Sequence, residues 1–335
     1  MEKSQGTLIV TGAAGGIGRA IAERFTVDYS DTYTGVFAVR NTSNPNTQLL
    51  RKILLKAKNP STIFPLENQH PRLHRLSPPI TALVLNAGYM SKRSQCLTED
   101  GYETTFQVNY LSNFLLVLLL LQSMQPLHAR VIYITSWTHD PSDPHSRALP
   151  LQSEMWRPFP DLAAPSCPDK KLGMTTLGLR RYAESKLWGM MFMQKLQSRV
   201  NAMPALRHIC ALAVDPGGVF STDIMREQAW IWRQPLRGLL RVMTPCVQWV
   251  APNGALRTAG KAARDILNAC FEVDGTVVGR WPRGLYLNGD VRKVSSEESR
   301  DEVKQEELWE GSLKLVGLLE GDTALMLGVG GPNLL

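Results

Sequence analysis

The chain contains short runs of residues that are apolar throughout, rather than alternating between apolar and polar positions. Such runs are typical of strands that are buried on both faces of a parallel sheet. Longer stretches with helical spacing lie between them, so the order of elements predicts a doubly wound, Rossmann-type α/β sheet in a single domain. The predicted strands are residues 7–10, 36–39, 82–85, 131–134 and 209–214, and the predicted helices are 17–25, 48–58, 102–124 and 177–200.

Three segments interrupt the regular alternation of strands and helices. Residues 67–80 hold three prolines, which predicts a short or missing crossover helix. Residues 137–175 are rich in Pro, Ser and Asp, and we interpret this long stretch as an inserted functional loop. Residues 223–253 combine tryptophans with prolines.

The pattern changes again after residue 275. We therefore predict a main domain over residues 1–275 and an extension over 276–335 that packs on the same domain. Leu285 to Leu287 predict an edge strand in this extension. Ser299 and Glu302 have the spacing of a capping box, which predicts the start of an amphipathic helix.

Composition and charge exclude several classes of protein. Hydrophobic residues make up 44% and charged residues 20% of the 335 positions, which is ordinary globular usage and excludes disorder or coiled coil as the main architecture. The net charge is +7, but the basic residues are scattered, so no nucleic-acid partner is predicted. The five cysteines are scattered too, which argues against a metal site and suits a reducing compartment.

Two further observations bear on location. The N-terminal residues run directly into a predicted strand instead of a signal peptide. The most apolar run, residues 114–121, is much shorter than the roughly 20 residues that a spanning helix needs. We therefore expect a cytoplasmic protein.

A glycine-rich turn follows the first predicted strand and precedes the first predicted helix. Its residues, Thr11 to Gly18, have the spacing GxxxGxG. Glycines let the backbone approach a pyrophosphate, and the helix N-terminus adds amide donors and a positive dipole. We predict a dinucleotide site here, although an ordinary tight turn remains the alternative; the predicted contacts are Thr11, Gly12, Gly16, Ile17 and Gly18.

The end of the second predicted strand bears on the choice of cofactor. Dinucleotide sites that prefer NAD carry an acidic residue at this place, about 20 residues after the glycines. This chain has Arg40 there, and Arg19 follows the last glycine of the turn. Two guanidinium groups suit a 2′-phosphate, so we predict a preference for NADP(H). The alternative is that Arg40 is only a solvated strand end.

A tyrosine and a lysine lie four residues apart on the helix predicted at 177–200. Tyr182 and Lys186 therefore share one helix face. A neighbouring cation favours the phenolate form of a tyrosine, so we expect the pKa of Tyr182 to be lowered toward working pH, as a general acid/base requires.

Together these motifs resemble the short-chain dehydrogenase/reductase family over about residues 6–275. Within the family, the chain is similar to retinol-dehydrogenase and WW-domain-oxidoreductase-like members. The family's motifs occur here in order as the turn Thr11–Gly18, Asn86-Ala87-Gly88, Asn109, Ser136, Tyr182 with Lys186, and Pro216-Gly217.

The resemblance implies a role for each matching position. Tyr182 would exchange a proton with the substrate oxygen, and Ser136 would hydrogen-bond that oxygen. Lys186 would hold the nicotinamide ribose and lower the pKa of the tyrosine, while Asn109 would anchor a water in a proton relay. The implied cofactor contacts are Tyr182, Lys186, Asn86, Ala87, Gly88, Pro216, Gly217, Val219 and Thr222, with Ser221 nearly as suitable as Thr222.

Three features depart from the family pattern. The adenine-binding acidic residue expected after the third strand is Glu67, a longer side chain than the usual Asp. The segment between Ser136 and Tyr182 is unusually long. Asp215 precedes the Pro-Gly turn, where retinol-type members tend to have His.

The family places the substrate under the segment after strand six, here residues 224–250. Its many apolar residues and few acids predict a bulky hydrophobic ketone or alcohol, for example terpenoid or polyketide-like. Core or dimer contacts are the alternative role of its tryptophans. Aromatic residues and arginines mix over 230–241, so peripheral membrane contact is a second alternative.

Two other functions are weighed against an oxidoreductase. A non-catalytic NADP-binding scaffold or sensor would not need Tyr182. The epimerase/dehydratase branch shares YxxxK but normally has a GxxGxxG turn. Homo-oligomerisation is implied by the family alone.

Overall fold

The apolar runs form one sheet. The computed structural model describes residues 4–65, 78–90, 96–125, 127–149, 151, 155–157, 174–219 and 243–327. The strands within these residues are β1 Thr7–Val10, β2 Thr34–Val39, β3 Ser61–Pro65, β4 Ile80–Leu85, β5 Ala129–Ile134, β6 Ile209–Asp215, β7 Tyr286–Asn288 and β8 Val291–Lys293. They are ordered β3-β2-β1-β4-β5-β6-β7-β8 in the sheet; β8 is antiparallel to β7, and the other neighbours are parallel.

Helices cover both faces of the sheet. One apolar core contains residues of α1, α2 and α5, and the other contains residues of α3, α4 and α6. The predicted doubly wound α/β fold is therefore confirmed. The helices are α1 Gly16–Asp28, α2 Pro45–Leu54, α3 Thr104–Ser123, α4 Met174–Ala202, α5 Ala259–Phe271 and α6 Glu302–Val316.

Helix α3 is apolar enough and long enough to cross a membrane, by length and composition only. Most of its apolar window is buried against the sheet and neighbouring helices. It also contains a π-helical segment, Gln107–Leu111. The amide of the next residue, Ser112, donates to the Gln107 carbonyl, five residues earlier. Such a segment inserts one extra residue and turns the following side chains, and it includes Asn109.

The extension after residue 275 differs from its prediction in two details. Residues 286–288 do form a strand, but β8 pairs with its outer side, so the predicted edge strand is an inner one. The predicted cap Ser299 is wrong: Asp301 caps α6 by accepting hydrogen bonds from the amides of Val303 and Lys304. The Ser299 hydroxyl is instead buried and hydrogen-bonds within its own turn.

Candidate active site

The glycine turn lies where the strand order reverses, between β1 and β4. Gly12 has a φ of +62°, and a Cβ atom added there would lie 2.8 Å from the Ala87 Cα. A Cβ atom at Gly18 would lie 2.6 Å from the Ala13 Cα, so the turn and the helix touch without side chains between them. Helix α1 begins at Gly16, and the N-cap Gly15 leaves its first amides without a side-chain cap. Such an N-terminus suits an anion.

The segment after β4 is joined to this turn by side-chain hydrogen bonds. The Asn86 amide donates to the carbonyl oxygens of Thr11 and Gly12 at 2.8 and 3.1 Å. The Ala87 amide donates to the Thr11 hydroxyl at 3.0 Å. Thr11 and Asn86 therefore hold the two loops together, which is a structural role beside the predicted contact with a cofactor.

The two predicted arginines flank the same turn. Arg19 lies on the first turn of α1 and donates to the Ala14 carbonyl at 2.9 Å, while Ile17 beneath it is buried. Arg40 follows β2 and is exposed. The β2 end lies beside the turn, because the Ala13 amide donates to the Ala38 carbonyl. The structure thus places both arginine residues in segments that lie next to the glycine turn.

Ser136, Tyr182 and Lys186 meet at the carboxyl end of β5. The Ser136 side chain acts on the Tyr182 phenol and lowers its pKa, which places the two groups near each other. The Lys186 Nζ atom lies 5.3 Å from the centre of the Tyr182 ring and donates to the Ile134 carbonyl at 2.8 Å. Lys186 is buried, whereas Tyr182 is partly exposed. The long segment between Ser136 and Tyr182 therefore does not separate them in space.

The titration behaviour of this pair differs from the expectation. Burial raises the pKa of the Tyr182 phenol above its ordinary value, and the charge of Asp215 raises it further, whereas Ser136 lowers it. Burial also lowers the pKa of Lys186 to about 8, and Asp215 opposes that change. The prediction that the pKa of Tyr182 is lowered is therefore wrong for the protein without a bound cofactor. The reason is that removal from water penalises both charged forms.

Asn109 joins the segment after β4 to helix α4. Its side chain accepts from the Tyr89 amide at 2.7 Å, donates to the Tyr89 carbonyl at 2.9 Å, and donates to the Ser185 hydroxyl at 2.9 Å. Ser185 in turn donates to the Tyr182 carbonyl at 2.7 Å. Sequence reasoning missed Ser185; the signal was a serine next to the lysine of the YxxxK motif.

The main-chain oxygen of Asn109 already has two hydrogen-bond donors. They are the side-chain amide of Asn113 and the phenol of Tyr133. The predicted water relay remains a prediction. Gly88 lies close by, since a Cβ atom added to it would be 3.9 Å from the Lys186 Nζ atom.

The Pro-Gly turn follows β6 directly. Gly217 has a φ of +70°, and a Cβ atom there would lie 2.9 Å from the Arg257 Nε atom. Arg257 is fully buried and donates to the main-chain oxygen of Asp215 at 2.8 Å, which fixes the end of β6 below Pro216. Val219 is buried after the turn. Sequence reasoning missed Arg257, which has no motif of its own.

Some predicted residues lie outside the described part of the chain. These are Glu67, Ser221, Thr222 and most of 137–175 and 223–253. Trp249, which lies within the predicted substrate segment 224–250, is 87% exposed and does not line a buried wall. Among the described residues there is no group of three or more His, Cys, Asp and Glu side chains that could hold a metal.

Comparison with known proteins agrees with this geometry. The family profile described as short chain dehydrogenase matches residues 6–145, and the profile described as AcuH dehydrogenase domain matches residues 227–325. The chain is 34% identical to short-chain dehydrogenase iccH of Talaromyces variabilis, over 96% of this chain and 98% of that protein.

Other relatives confirm the predicted similarity within the family. The WW domain-containing oxidoreductase of Gallus gallus is 29% identical, over 92% of this chain and 67% of that protein. Human polyprenol dehydrogenase is 30% identical, over 72% of this chain and 62% of that protein.

Solved structures show the same fold. The NADPH-bound carbonyl reductase from chicken fatty liver superposes with a TM-score of 0.55 at 17% identity, covering 87% of this chain and 99% of that chain. The angucycline C-6 ketoreductase LanV with bound NADP gives 0.53 at 16% identity, covering 86% and 96%. From its fold, its ordered motifs and its relatives, the chain belongs to the short-chain dehydrogenase/reductase family of oxidoreductases that act on CH–OH or carbonyl groups.

Proposed function

We propose that this protein is an NADP(H)-dependent oxidoreductase that interconverts a ketone and a secondary alcohol, or an aldehyde and a primary alcohol, on a bulky hydrophobic small molecule. The observation that carries the proposal is the meeting of Ser136, Tyr182 and Lys186 beside the glycine turn. Cofactor binding alone does not require a tyrosine that lies near a serine and beside a buried lysine.

The residues around the glycine turn fit a dinucleotide. At Gly12 and Gly18 a Cβ atom would run into backbone atoms of Ala87 and Ala13, so the turn packs closely without side chains, and the first amides of α1 have no side-chain cap. Arg19 follows the last glycine of the turn, and Arg40 follows β2, the strand end at which dinucleotide folds bind the adenosine ribose. Positive charge there supports NADP(H) over NAD(H), because a guanidinium group pairs with the 2′-phosphate.

The chain's own residues supply acid/base chemistry and positioning. In reduction, the Tyr182 hydroxyl gives its proton to the substrate oxygen as negative charge develops there; in oxidation, the phenolate takes the proton back. The Ser136 hydroxyl donates a hydrogen bond to the same oxygen and stabilises that charge. The Lys186 ammonium group, held by the Ile134 carbonyl, has two further N–H donors for ribose hydroxyls. A bound nicotinamide supplies or accepts the hydride at the substrate carbon.

A hydrophobic substrate is supported by sequence rather than by a described pocket. The apolar segment 224–250 is matched in large part by the AcuH dehydrogenase profile. A relative is named polyprenol dehydrogenase, and a polyprenol is an apolar alcohol. We also propose a cytoplasmic location, with contact to a membrane surface as the alternative.

The test has two parts. Fluorescence titration of the purified protein with NADPH and with NADH measures the two dissociation constants, and we expect NADPH to bind more tightly. NADPH oxidation is then followed with bulky polycyclic ketones and with small aliphatic ketones, and we expect turnover of the bulky ones. Tighter binding of NADH would overturn the cofactor assignment. Binding of NADPH without turnover of any carbonyl in a broad panel would favour the scaffold.

A further inference from the structure

Asp215 is a buried carboxylate at the end of β6 that the proposed mechanism does not use. It is 1% exposed. Its neighbours along the strand, Ala211 and Ala213, pack in the core on the α4 side of the sheet, and alternation places the Asp215 side chain on that side as well. One carboxylate oxygen accepts a hydrogen bond from the Gly217 amide at 2.8 Å. The other, Oδ2, is buried and has no hydrogen-bond partner within the described part of the chain.

The charge of this carboxylate acts on both members of the tyrosine–lysine pair. Ile134 and Val214 are register partners in β5 and β6, and Lys186 is bound to the Ile134 carbonyl, so Asp215 is the next residue along β6 from that point. The charge of Asp215 acts on Tyr182 and Lys186 from α4, on His139 after β5 and on Tyr286 on β7, and Arg257 binds the Asp215 main-chain oxygen. Asp140 and Asp143, after β5, act on the same His139 and Tyr286.

A buried ammonium group needs a nearby negative charge. Lys186 is 5% exposed, and the hydrogen bond to Ile134 offsets only part of the cost of removing it from water. The Gly217 amide donates to the Asp215 carboxylate, and the Arg257 guanidinium group binds the main-chain oxygen of the same residue. His139 is a poor source of compensating charge, because burial lowers its pKa and keeps the imidazole neutral.

We propose that Asp215 is a positioning residue whose buried carboxylate balances the charge of Lys186 and keeps the Tyr182–Lys186 pair protonated at neutral pH, the form that donates a proton to a carbonyl. This inference rests on the proposed function. It adds that the site is poised for carbonyl reduction at neutral pH, with alcohol oxidation favoured only at alkaline pH.

The sign of the expected pH dependence follows from the charge. The charge of Asp215 raises the pKa of Tyr182 and of Lys186, and removal of a neighbouring negative charge makes each proton easier to lose. Neutralising Asp215 is therefore expected to lower the pKa of both groups. Reduction needs the protonated phenol, so its rate falls as the pH rises. In a variant with a neutral residue 215, this fall is expected at a lower pH than in wild type. Oxidation needs the phenolate, so its rate rises with pH, and in the same variant this rise is also expected at a lower pH than in wild type.

The experiment compares pH–rate profiles of Asp215→Asn, Asp215→Ser and Asp215→Glu with wild type in both directions. We expect the two neutral variants to shift both limbs by about 1 pH unit toward lower pH. Asp215→Glu retains the charge, and its limbs are expected to stay in place. Asp31→Asn removes an exposed carboxylate that pairs with Lys58 and serves as the matched control. Circular dichroism of each variant establishes that it is folded.

A second measurement does not depend on turnover. The phenolate absorbance of Tyr182 is obtained by subtracting the spectrum of Tyr182→Phe from that of wild type. In the Asp215→Asn background, the spectrum of the Asp215→Asn, Tyr182→Phe double variant is subtracted from that of Asp215→Asn. All spectra are recorded with saturating NADP⁺. Ionisation of Tyr182 at lower pH in the Asp215→Asn background would support the inference even if no substrate were turned over. The inference would be overturned if Asp215→Asn and Asp215→Ser showed the same pH dependence as wild type. It would also be overturned if Asp215→Glu shifted by as much as they do, since geometry rather than charge would then be the cause.

Discussion

The two ends of the proposed cofactor site are built in different ways. At the catalytic end, Lys186 and Asp215 are almost fully removed from water, and each is held by a main-chain hydrogen bond. At the other end, Arg40 is exposed and Arg19 is only partly buried. Charge at the first end acts in a medium of low dielectric constant, whereas charge at the second end is screened by water and salt.

This difference separates two properties of the enzyme. Buried charges change protonation states, so the catalytic end sets the rate of the proposed reaction and its pH dependence. Exposed arginines suit charge-assisted contacts with an anionic ligand, so under the proposed function the other end would set affinity and the choice between NADP(H) and NAD(H). Substitutions at one end are therefore expected to leave the property set by the other end unchanged.

The largest expected effect is that of Tyr182→Phe. Loss of a general acid/base reduces kcat by about 10²- to 10⁴-fold. The dissociation constant of NADPH is expected to stay within about threefold of wild type, because the glycine turn and its arginines are untouched. Steady-state kinetics and fluorescence titration measure the two quantities on the same preparation.

A tyrosine outside the site provides the matched control for this variant. Tyr102 is partly buried beside Phe106, and Tyr102→Phe retains the ring contact while removing its hydroxyl. This control is expected to keep kcat near that of wild type. Turnover by Tyr182→Phe at the rate of Tyr102→Phe would contradict the proposed acid/base role.

The next effect in size concerns the exposed end. Arg40→Ala removes a proposed partner of the 2′-phosphate and is expected to weaken NADPH binding about 10- to 100-fold. This is the loss expected when a hydrogen bond to a charged group, worth about 1.5–3 kcal/mol, is removed. NADH lacks that phosphate, so its binding is expected to change little. The NADPH effect is also expected to shrink as salt is added, because an exposed pair is screened.

Arg51→Ala is the control for the loss of one positive charge. Arg51 is exposed in the last turn of α2, away from the glycine turn in sequence. If Arg51→Ala weakened NADPH binding as much as Arg40→Ala does, the effect would come from net charge rather than from a phosphate contact.

The parts of the molecule that sequence analysis predicted well have local signals. The strands at residues 7–10 and 131–134 agree with β1 and overlap β5, because an unbroken apolar run has few alternatives to a buried strand. The motif residues Ser136, Tyr182 and Lys186 are brought together because each lies at a fixed place on a strand end or a helix face.

The parts that were missed depend on contacts between distant segments. Ser299 has the spacing of a cap, but its hydroxyl pairs with Ser295, and Asp301 caps α6 instead. The raised pKa of Tyr182 depends on burial and on Asp215, which lies on a different element, so the motif alone suggested the opposite direction. Arg257 matters through the backbone of Asp215, and no sequence pattern marks such a contact.

The smallest expected effect tests whether the catalytic end depends on hydrogen bonds between its elements. The buried Ser185 hydroxyl accepts from Asn109 and donates to the Tyr182 carbonyl. Ser185→Ala is expected to lower the free energy of unfolding by about 1 kcal/mol, because the Asn109 amide keeps its second partner, the Tyr89 carbonyl. A looser position of Tyr182 is expected to lower kcat a few-fold while the NADPH dissociation constant stays unchanged.

Ser112→Ala is the matched control, since Ser112 is an exposed serine on α3. Its free energy of unfolding in urea is expected to lie within about 0.5 kcal/mol of the wild-type value, and its kcat within about twofold. If Ser185→Ala behaved like Ser112→Ala in both measurements, the link from Asn109 to helix α4 would not hold Tyr182 in place. The difference between the two ends of the site would then rest on burial and charge alone, without a contribution from hydrogen bonds between elements.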